Sequence, residues 1–347
     1  MIIARAPLRV SLAGGGTDLP TYADRFGGLV VSTTINRYVY IILSDASAEQ
    51  LQITNSDSST ILSRHEHIFD GALQWDGDHR LPLEALQYFG IAGGCRIFIT
   101  AEVPPGTGLG SSSTTAVALI TALATWQDRV LSRGNVAELA CQLEIERMGM
   151  PIGRQDQYAA ALGGLNVLTF EHGETQVSPC RVTEATYFGL QERLLLFFTG
   201  LRRRSSNVLA AQRDSVERNT AATLHNLHEI KALAHEMRAA LEGGDLPAVG
   251  RLLDRSWQHK RQLAPGVTTA QIDGWYDVAR AAGAEGGKIL GAGGGGFLML
   301  YAEPEQRRQV IQQMANCGLV WVDIEFERTG ATAVLASPPG VAALAAY

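Results

Sequence analysis

The chain has 347 residues, a formal net charge of −6, 46% hydrophobic and 18% charged residues. That length favours two domains over a single core, and a net negative charge without a long basic face speaks against a nucleic-acid partner. Cys95, Cys141, Cys180 and Cys317 show no CxxC or CxxH spacing, no apolar leader precedes the first strand, and the apolar windows at 194–200 and 297–301 are too short to span a bilayer; the expectation is a cytoplasmic protein with free thiols, no structural zinc and no membrane partner.

In chain order, Ile2–Ala13 reads as a strand interrupted by Pro7 and ended by Gly14-Gly15-Gly16-Thr17-Asp18. A short helix over 21–26 follows. The β-branched and aromatic runs 29–35 and 37–43 are expected to pair as two strands. Residues 44–64 mix strand and polar turn, and 65–79 are polar and irregular. A helix over 82–89 and a strand over 95–103 lead to a Gly/Ser-rich loop and a nearly all-apolar helix over 116–127, buried on most sides. Asn135 is expected to cap a helix over 136–148 that stops ahead of Pro151. A short helix near 153–161 ends at Gly163-Gly164 before a strand over 165–170. The domain boundary is expected within 171–190 and is drawn at 185/186, giving domains 1–185 and 186–347. The second half reads as a strand at 194–199, helices over 205–242, 246–262 and 268–282, a segment 288–290, a glycine run, a strand over 297–302, a helix over 304–316, and strands near 319–327 and 331–335. That is an α+β arrangement.

The loop Pro104-Pro105-Gly106-Thr107-Gly108-Leu109-Gly110-Ser111-Ser112-Ser113 joins the strand to the apolar helix. A loop at a helix N-terminus presents unpaired N–H groups and the positive end of the helix dipole, so it attracts phosphate. Most Gly/Ser turns bind nothing, but the three hydroxyls here can hold Mg2+ or donate to phosphate oxygens. A Walker A loop is absent, because Gly286-Gly287-Lys288 is followed by Ile289 rather than Ser or Thr. Gly291, Gly293 and Gly296 spell G-x-G-x-x-G, yet a strand-like segment follows instead of a helix. That run reads as a tight turn where two backbones meet, not as a dinucleotide site.

Among charged residues, Asp156 stands in flexible, polar surroundings and suits either a general base for a hydroxyl or a helix N-cap. Glu144 and Glu146 lie two apart on a helix, so only one can face a given site. Arg9, mid-strand, pairs with an anion or lies at a sheet edge in water. Arg202-Arg203-Arg204 form either an anion site or a basic surface run. The pairs His65/His67 and His225/His228 lack a third ligand.

Taken together, Pro7-Leu8-Arg9-Val10-Ser11-Leu12-Ala13-Gly14-Gly15-Gly16-Thr17-Asp18, then Pro104–Ser113, then Gly291–Gly296 resemble the three motifs of the galactokinase, homoserine kinase, mevalonate kinase and phosphomevalonate kinase (GHMP) superfamily. Pro104/Pro105 with Gly108-Leu109-Gly110-Ser111-Ser112 fit its PxxxGLGSS motif. Pro151–Ala160 with Gly163-Gly164-Leu165-Asn166, the run 33–40 and the run 199–205 are similar to the heptose 7-phosphate kinases, and fucokinase domains share parts of the pattern. The resemblance implies a two-domain fold, with an N-terminal domain like ribosomal protein S5 domain 2 and a ferredoxin-like C-terminal domain with extra helices. It implies an ATP- and Mg2+-dependent kinase for the anomeric hydroxyl of a heptose 7-phosphate, with another sugar kinase of fucokinase or galactokinase type, or a non-catalytic sugar- or nucleotide-binding protein, as the alternatives; a homodimer is left open. Carried over by position, residues Pro105 to Ser113 cradle the ATP phosphates. Ser112 and Glu144 are the Mg2+ ligands, with Glu146 in reserve. Asp156 is the base, and Arg9 polarises the substrate oxygen or pairs with that base. Asp18, with Gly16 and Thr17, accepts the sugar, Gly293, Gly294 and Gly295 approach the phosphates or the acceptor, and Arg154, Arg202 and Arg203 receive the phosphate that the acceptor already carries.

Overall fold

A computed structural model of the chain describes residues 1–56, 60–64, 79–201, 205–218 and 220–336. Arg202, Arg203 and Arg204, and all of the polar stretch 65–79 except His79, lie outside the described residues.

The first sheet is organised on two long antiparallel strands, Ile2–Ala13 and Gly28–Asp45. Their register shifts between Pro7 and Arg9 and again between Ser11 and Ala13. Pro7 has no N–H to give the ladder, so a bulge there is expected, and a bulge re-aims the side chains after it. The two strands expected at 29–35 and 37–43 are one 18-residue strand. No glycine or proline stands at Asn36 and Arg37 to make a turn. Instead the two halves of this strand take different neighbours: Leu165–Glu171 on residues 28–33, and Cys95–Ala101 on residues 39–45. Asn36 is held across the strand by Glu325, its N–H donating to the carbonyl at 2.8 Å and its Oδ1 accepting from the amide at 2.9 Å. Leu51–Asn55 pairs in parallel with Cys95–Ala101.

Helix Ser111–Trp126 lies on this sheet, with Ala116, Val117, Leu119, Ile120 and Leu123 wholly buried. It begins at Ser111, so the serines form its first turn. The helix expected from 136 begins at Arg133, capped by Ser132, whose Oγ accepts from Asn135 N at 3.1 Å; Asn135 is not the cap. Regular helix ends at Cys141, and Gln142–Arg147 form a π-helical turn of the kind often met at functional sites. Helix Gln155–Leu162 follows.

The second sheet is four-stranded and antiparallel, in the order Val320–Val322, Leu194–Phe198, Phe297–Ala302, Ala284–Ile289. The single helix expected over 205–242 is two, Ser205–Glu217 and Ala221–Gly243. The strand expected at 319–327 also divides: Val320–Val322 stays in the second sheet, while Phe326–Glu327 pairs with Ile35 and Thr34 in the first. Thr332–Leu335 then pairs with the edge of Ile2–Ala13. The last described strands thus join the first sheet although they lie beyond the 185/186 division.

One apolar cluster spans both sheets, bringing Leu8, Val10 and Leu12 against Leu290, Phe297 and Met299. A cleft opens beside it, lined in part by Leu290. At the cleft's edge two glycine loops cross. A Cβ on Gly108 (φ +86) would sit 2.5 Å from Leu290 O, and one on Gly291 2.5 Å from Gly108 Cα. The run 291–296 is therefore a packing turn, as its sequence context suggested.

Gly108→Ala is expected to destabilise the protein by about 2–4 kcal/mol in urea unfolding, through backbone strain and a backbone clash together. Gly173→Ala has a similar φ of +79 with nothing within 4 Å of its Cβ, and should cost only about 1 kcal/mol.

Candidate active site

Arg9 anchors the cleft. The bulged strand turns its side chain inward, where it is 4% exposed, and Nε and Nη2 donate to the two oxygens of Asp156 at 2.7 and 2.8 Å. Nη1 donates to Gly108 O at 2.7 Å, tying the pair to the Gly/Ser loop. Asp156 lies in the first turn of helix Gln155–Leu162 and does not cap it; the cap position is Arg154. The Asp156 side chain stays 22% exposed, open to the cleft. Gly110 (φ +79) leaves room for it, since a Cβ there would lie 3.0 Å from Oδ2.

One wall of the cleft is Gly106, Gly108, Gly110 and Ser111–Ser113. Helix Ser111–Trp126 starts here, with no side-chain cap on its first N–H groups. Thr107, Leu109 and Pro105, expected among the phosphate-binding residues, do not line it. Thr107 Oγ1 donates to Pro104 O, Leu109 is core, and Pro105 is at the surface.

Behind the serines stands Glu144. It is fully buried; Ser112 Oγ donates to its Oε1 at 2.8 Å and Gln157 Nε2 to its Oε2 at 2.7 Å. Burial pushes its carboxyl up from 4.5 to about 7, against hydrogen bonds from Ser113, Ser112 and Gln157 that hold it down. Glu146 is exposed and faces a separate hollow shared with Arg154 and Glu174. The structure thus brings Glu144, not Glu146, to Ser112.

Asp18 forms the opposite lip. Gly16 N and Gln155 Nε2 donate to its Oδ1 at 3.0 Å each, and Gln155 N to its Oδ2 at 3.3 Å. Burial, then the charge of Asp156, raises its carboxyl above the usual range. Gly153 makes this possible, because a Cβ there would lie 1.8 Å from Asp18 Oδ2. Gly16 lines the cleft, whereas Thr17 is a buried staple between Gly14 O and Leu29 O.

Other expected acceptor residues are elsewhere. Arg154 bonds Glu138, Thr175 and the Gly173 carbonyl on the far side of its helix, outside the cleft. Gly293, Gly294 and Gly295 pack on Val267 and Leu201. In their place the cleft holds two lysines that sequence reading passed over. Lys260, at the end of helix Leu246–Lys260, donates to Ile289 O at 2.8 Å and Gly291 O at 2.6 Å; Lys288 donates to Leu12 O at 3.0 Å. Lys260 sits in a stretch of mixed charge that looks solvated. Lys288 carried a signal: it stands on an apolar strand between Gly287 and Ile289-Leu290.

The site thus joins an anion-binding helix start, a carboxylate behind a serine, an Arg–Asp pair open to a ligand, and a second carboxylate on the facing lip. Such a set suits transfer of a phosphoryl group to a hydroxyl. Among the described residues no helix is long and apolar enough to cross a membrane.

Residues 80–164 match the family model described as GHMP kinases N terminal domain, and residues 237–318 match that of the GHMP kinases C terminal domain. A protein of Campylobacter jejuni named D-glycero-alpha-D-manno-heptose 7-phosphate kinase is 29% identical over 95% of this chain and 97% of its own length. A crystal structure from Bacteroides thetaiotaomicron, titled a D-glycero-D-manno-heptose 1-phosphate kinase, superposes with a TM-score of 0.79 at 27% identity, covering 97% of this chain and all of that one. The L-fucokinase/L-fucose-1-P guanylyltransferase of Bacteroides fragilis is 27% identical over 88% of this chain but only 35% of that longer protein.

Glu144→Gln tests the buried carboxyl. A folded value of about 7 against 4.5 means that the stability associated with the neutral form is present below 4.5 and lost as pH rises through 7. With divalent ions chelated, the variant should therefore gain stability over wild type, on the order of 3 kcal/mol between about pH 5 and pH 8, as read from urea midpoints. Parallel pH profiles would contradict it.

Proposed function

We infer that this chain, which belongs to the GHMP kinases, transfers the γ-phosphoryl group of ATP to the anomeric hydroxyl of a heptose 7-phosphate, giving the 1,7-bisphosphate. The observation that carries the reading is the Arg9–Asp156 pair, open to the cleft beside the Gly/Ser loop. The likeness to a heptose 7-phosphate kinase over nearly the whole of both chains supports the substrate.

In this reading the loop from Gly106 to Ser113 holds the ATP phosphates by backbone N–H groups and the helix dipole. Ser112 and Glu144 fit a divalent cation: they offer hard oxygen donors side by side, the small protein share typical of Mg2+ shared with phosphates. They would hold Mg2+, which neutralises phosphate charge when bound. Asp18 accepts a sugar hydroxyl. Both oxygens of Asp156 already accept from Arg9. Its main part is therefore to orient the acceptor hydroxyl and take its proton late. This suits an anomeric hydroxyl, which is more acidic than an ordinary alcohol. Arg9 stabilises the charge that gathers on the oxygens in flight. ATP as donor and four unpaired cysteines fit a reducing, ATP-rich compartment, the cytoplasm.

Asp156→Asn should lower kcat on heptose 7-phosphate by about 10²–10⁴-fold while the affinity for ATP changes less than about twofold. Near-normal turnover would remove Asp156 from its role. Assayed beside heptose 7-phosphate, free fucose and galactose should be poor acceptors; preference for either would leave only the superfamily assignment.

A further inference from the structure

Two buried ammonium groups have no carboxylate partner. Lys288 is 2% exposed and Lys260 8%, and neither forms an ion pair among the described residues. An ammonium has three N–H donors. Lys260 gives two to backbone carbonyls and Lys288 one, which leaves three donors on two side chains that both line the cleft.

Their surroundings are short of negative charge. Arg9 is already engaged by Asp156. Of the neighbours acting on Lys260, Arg9 opposes its charge and Asp18 favours it; on Lys288, Lys260 and Arg9 both oppose it. Burial is the larger effect and, with these cations, pushes Lys260 down from 10.5 to about 7 and Lys288 well below its ordinary value. Burying amines in this way costs stability that methionine or leucine would not.

A third group lines the same cleft. Ser11, one residue before the Leu12 carbonyl that Lys288 grips, is 6% exposed, lines the cleft, and its Oγ has no hydrogen-bond partner. A buried hydroxyl without a partner points to a ligand group that completes it. Two amines, which an anion would hold in their ammonium forms, and one hydroxyl line the same cleft and match the oxygens of a phosphate dianion.

We propose that Lys260, Lys288 and Ser11 form the recognition site for the phosphate that the sugar acceptor already carries. The donor phosphates are provided for by the Gly/Ser loop and the start of its helix. The lysines belong to the acceptor side: Lys288 is fixed to the strand that runs into Gly14–Asp18, and Lys260 feels the charge of Asp18. This assignment rests on the sugar-phosphate kinase reading and replaces Arg154 as the cation for that group.

Three variants test it: Lys288→Met, Lys260→Met and the milder Ser11→Ala. Each lysine variant should raise KM for heptose 7-phosphate about tenfold or more, and Ser11→Ala by less, with KM for ATP within about twofold of wild type. The preference for heptose 7-phosphate over the same heptose without phosphate should fall in parallel. Melting temperatures of the methionine variants should match or exceed wild type, because an unbranched apolar chain replaces a buried amine. An unchanged KM for the sugar phosphate would overturn the proposal. A rise confined to KM for ATP would also overturn it, assigning the lysines to the donor. A separate thermal-shift arm uses inorganic phosphate with a non-hydrolysable ATP analogue filling the loop. Wild type should be stabilised by phosphate and the lysine variants should not; equal stabilisation of all four proteins would contradict the site. If wild type lacks sugar-phosphate turnover yet shows this lysine-dependent stabilisation, the kinase reading fails while the phosphate site stands.

Discussion

The ion pair of Arg9 with Asp156 holds together three segments that are distant in sequence. Taking a guanidinium out of water costs several kcal/mol, recovered only where geometry is good and the remaining donors are used. Here Nε, Nη1 and Nη2 are all engaged, two nitrogens on the carboxylate and one on Gly108 O. Other features are conditions for that contact. The bulge after Pro7 turns Arg9 inward, Gly110 leaves room for the Asp156 carboxylate, and the crossing of Gly108 and Gly291 brings the second domain to the same edge.

Around this pair the cleft is electrostatically unfinished. Glu144 and Asp18 are pushed toward their neutral forms by burial, and Lys260 and Lys288 toward theirs. Carboxyls raised at Glu144 and Asp18, and amines lowered at Lys260 and Lys288, are what a site tuned for ligands of both signs requires. A cation near Glu144 and a phosphate near the lysines would each restore the charged form of the group it meets. Ligands bound at these groups would thereby couple binding to protonation.

Much of the site was legible in sequence because its chemistry is local. The Gly/Ser loop announces a helix start by composition, and Asp156 and Glu144 were carried by the resemblance to the GHMP motifs. The choice between Glu144 and Glu146 was not legible, because a π-helical turn sets which one faces Ser112. Gly28–Asp45 looked like two strands divided at Asn36; it is one, and Asn36 there bonds Glu325, nearly three hundred residues away. Arg154 was expected to take the acceptor's phosphate, yet Glu138 pairs with its guanidinium instead. Lys260 and Lys288 were passed over because their placement depends on how the second sheet docks on the first strand, which no local pattern encodes. Arg202 and Arg203 lie outside the described residues.

The central claim is that the Arg9–Asp156 pair presents an anomeric hydroxyl to the γ-phosphate of ATP. Phosphorus NMR of the product formed from ATP and heptose 7-phosphate addresses it directly. The account requires a second phosphorus resonance coupled to the anomeric proton, as in a 1,7-bisphosphate. A new phosphorus coupled to any other carbon-bound proton of the sugar would contradict it.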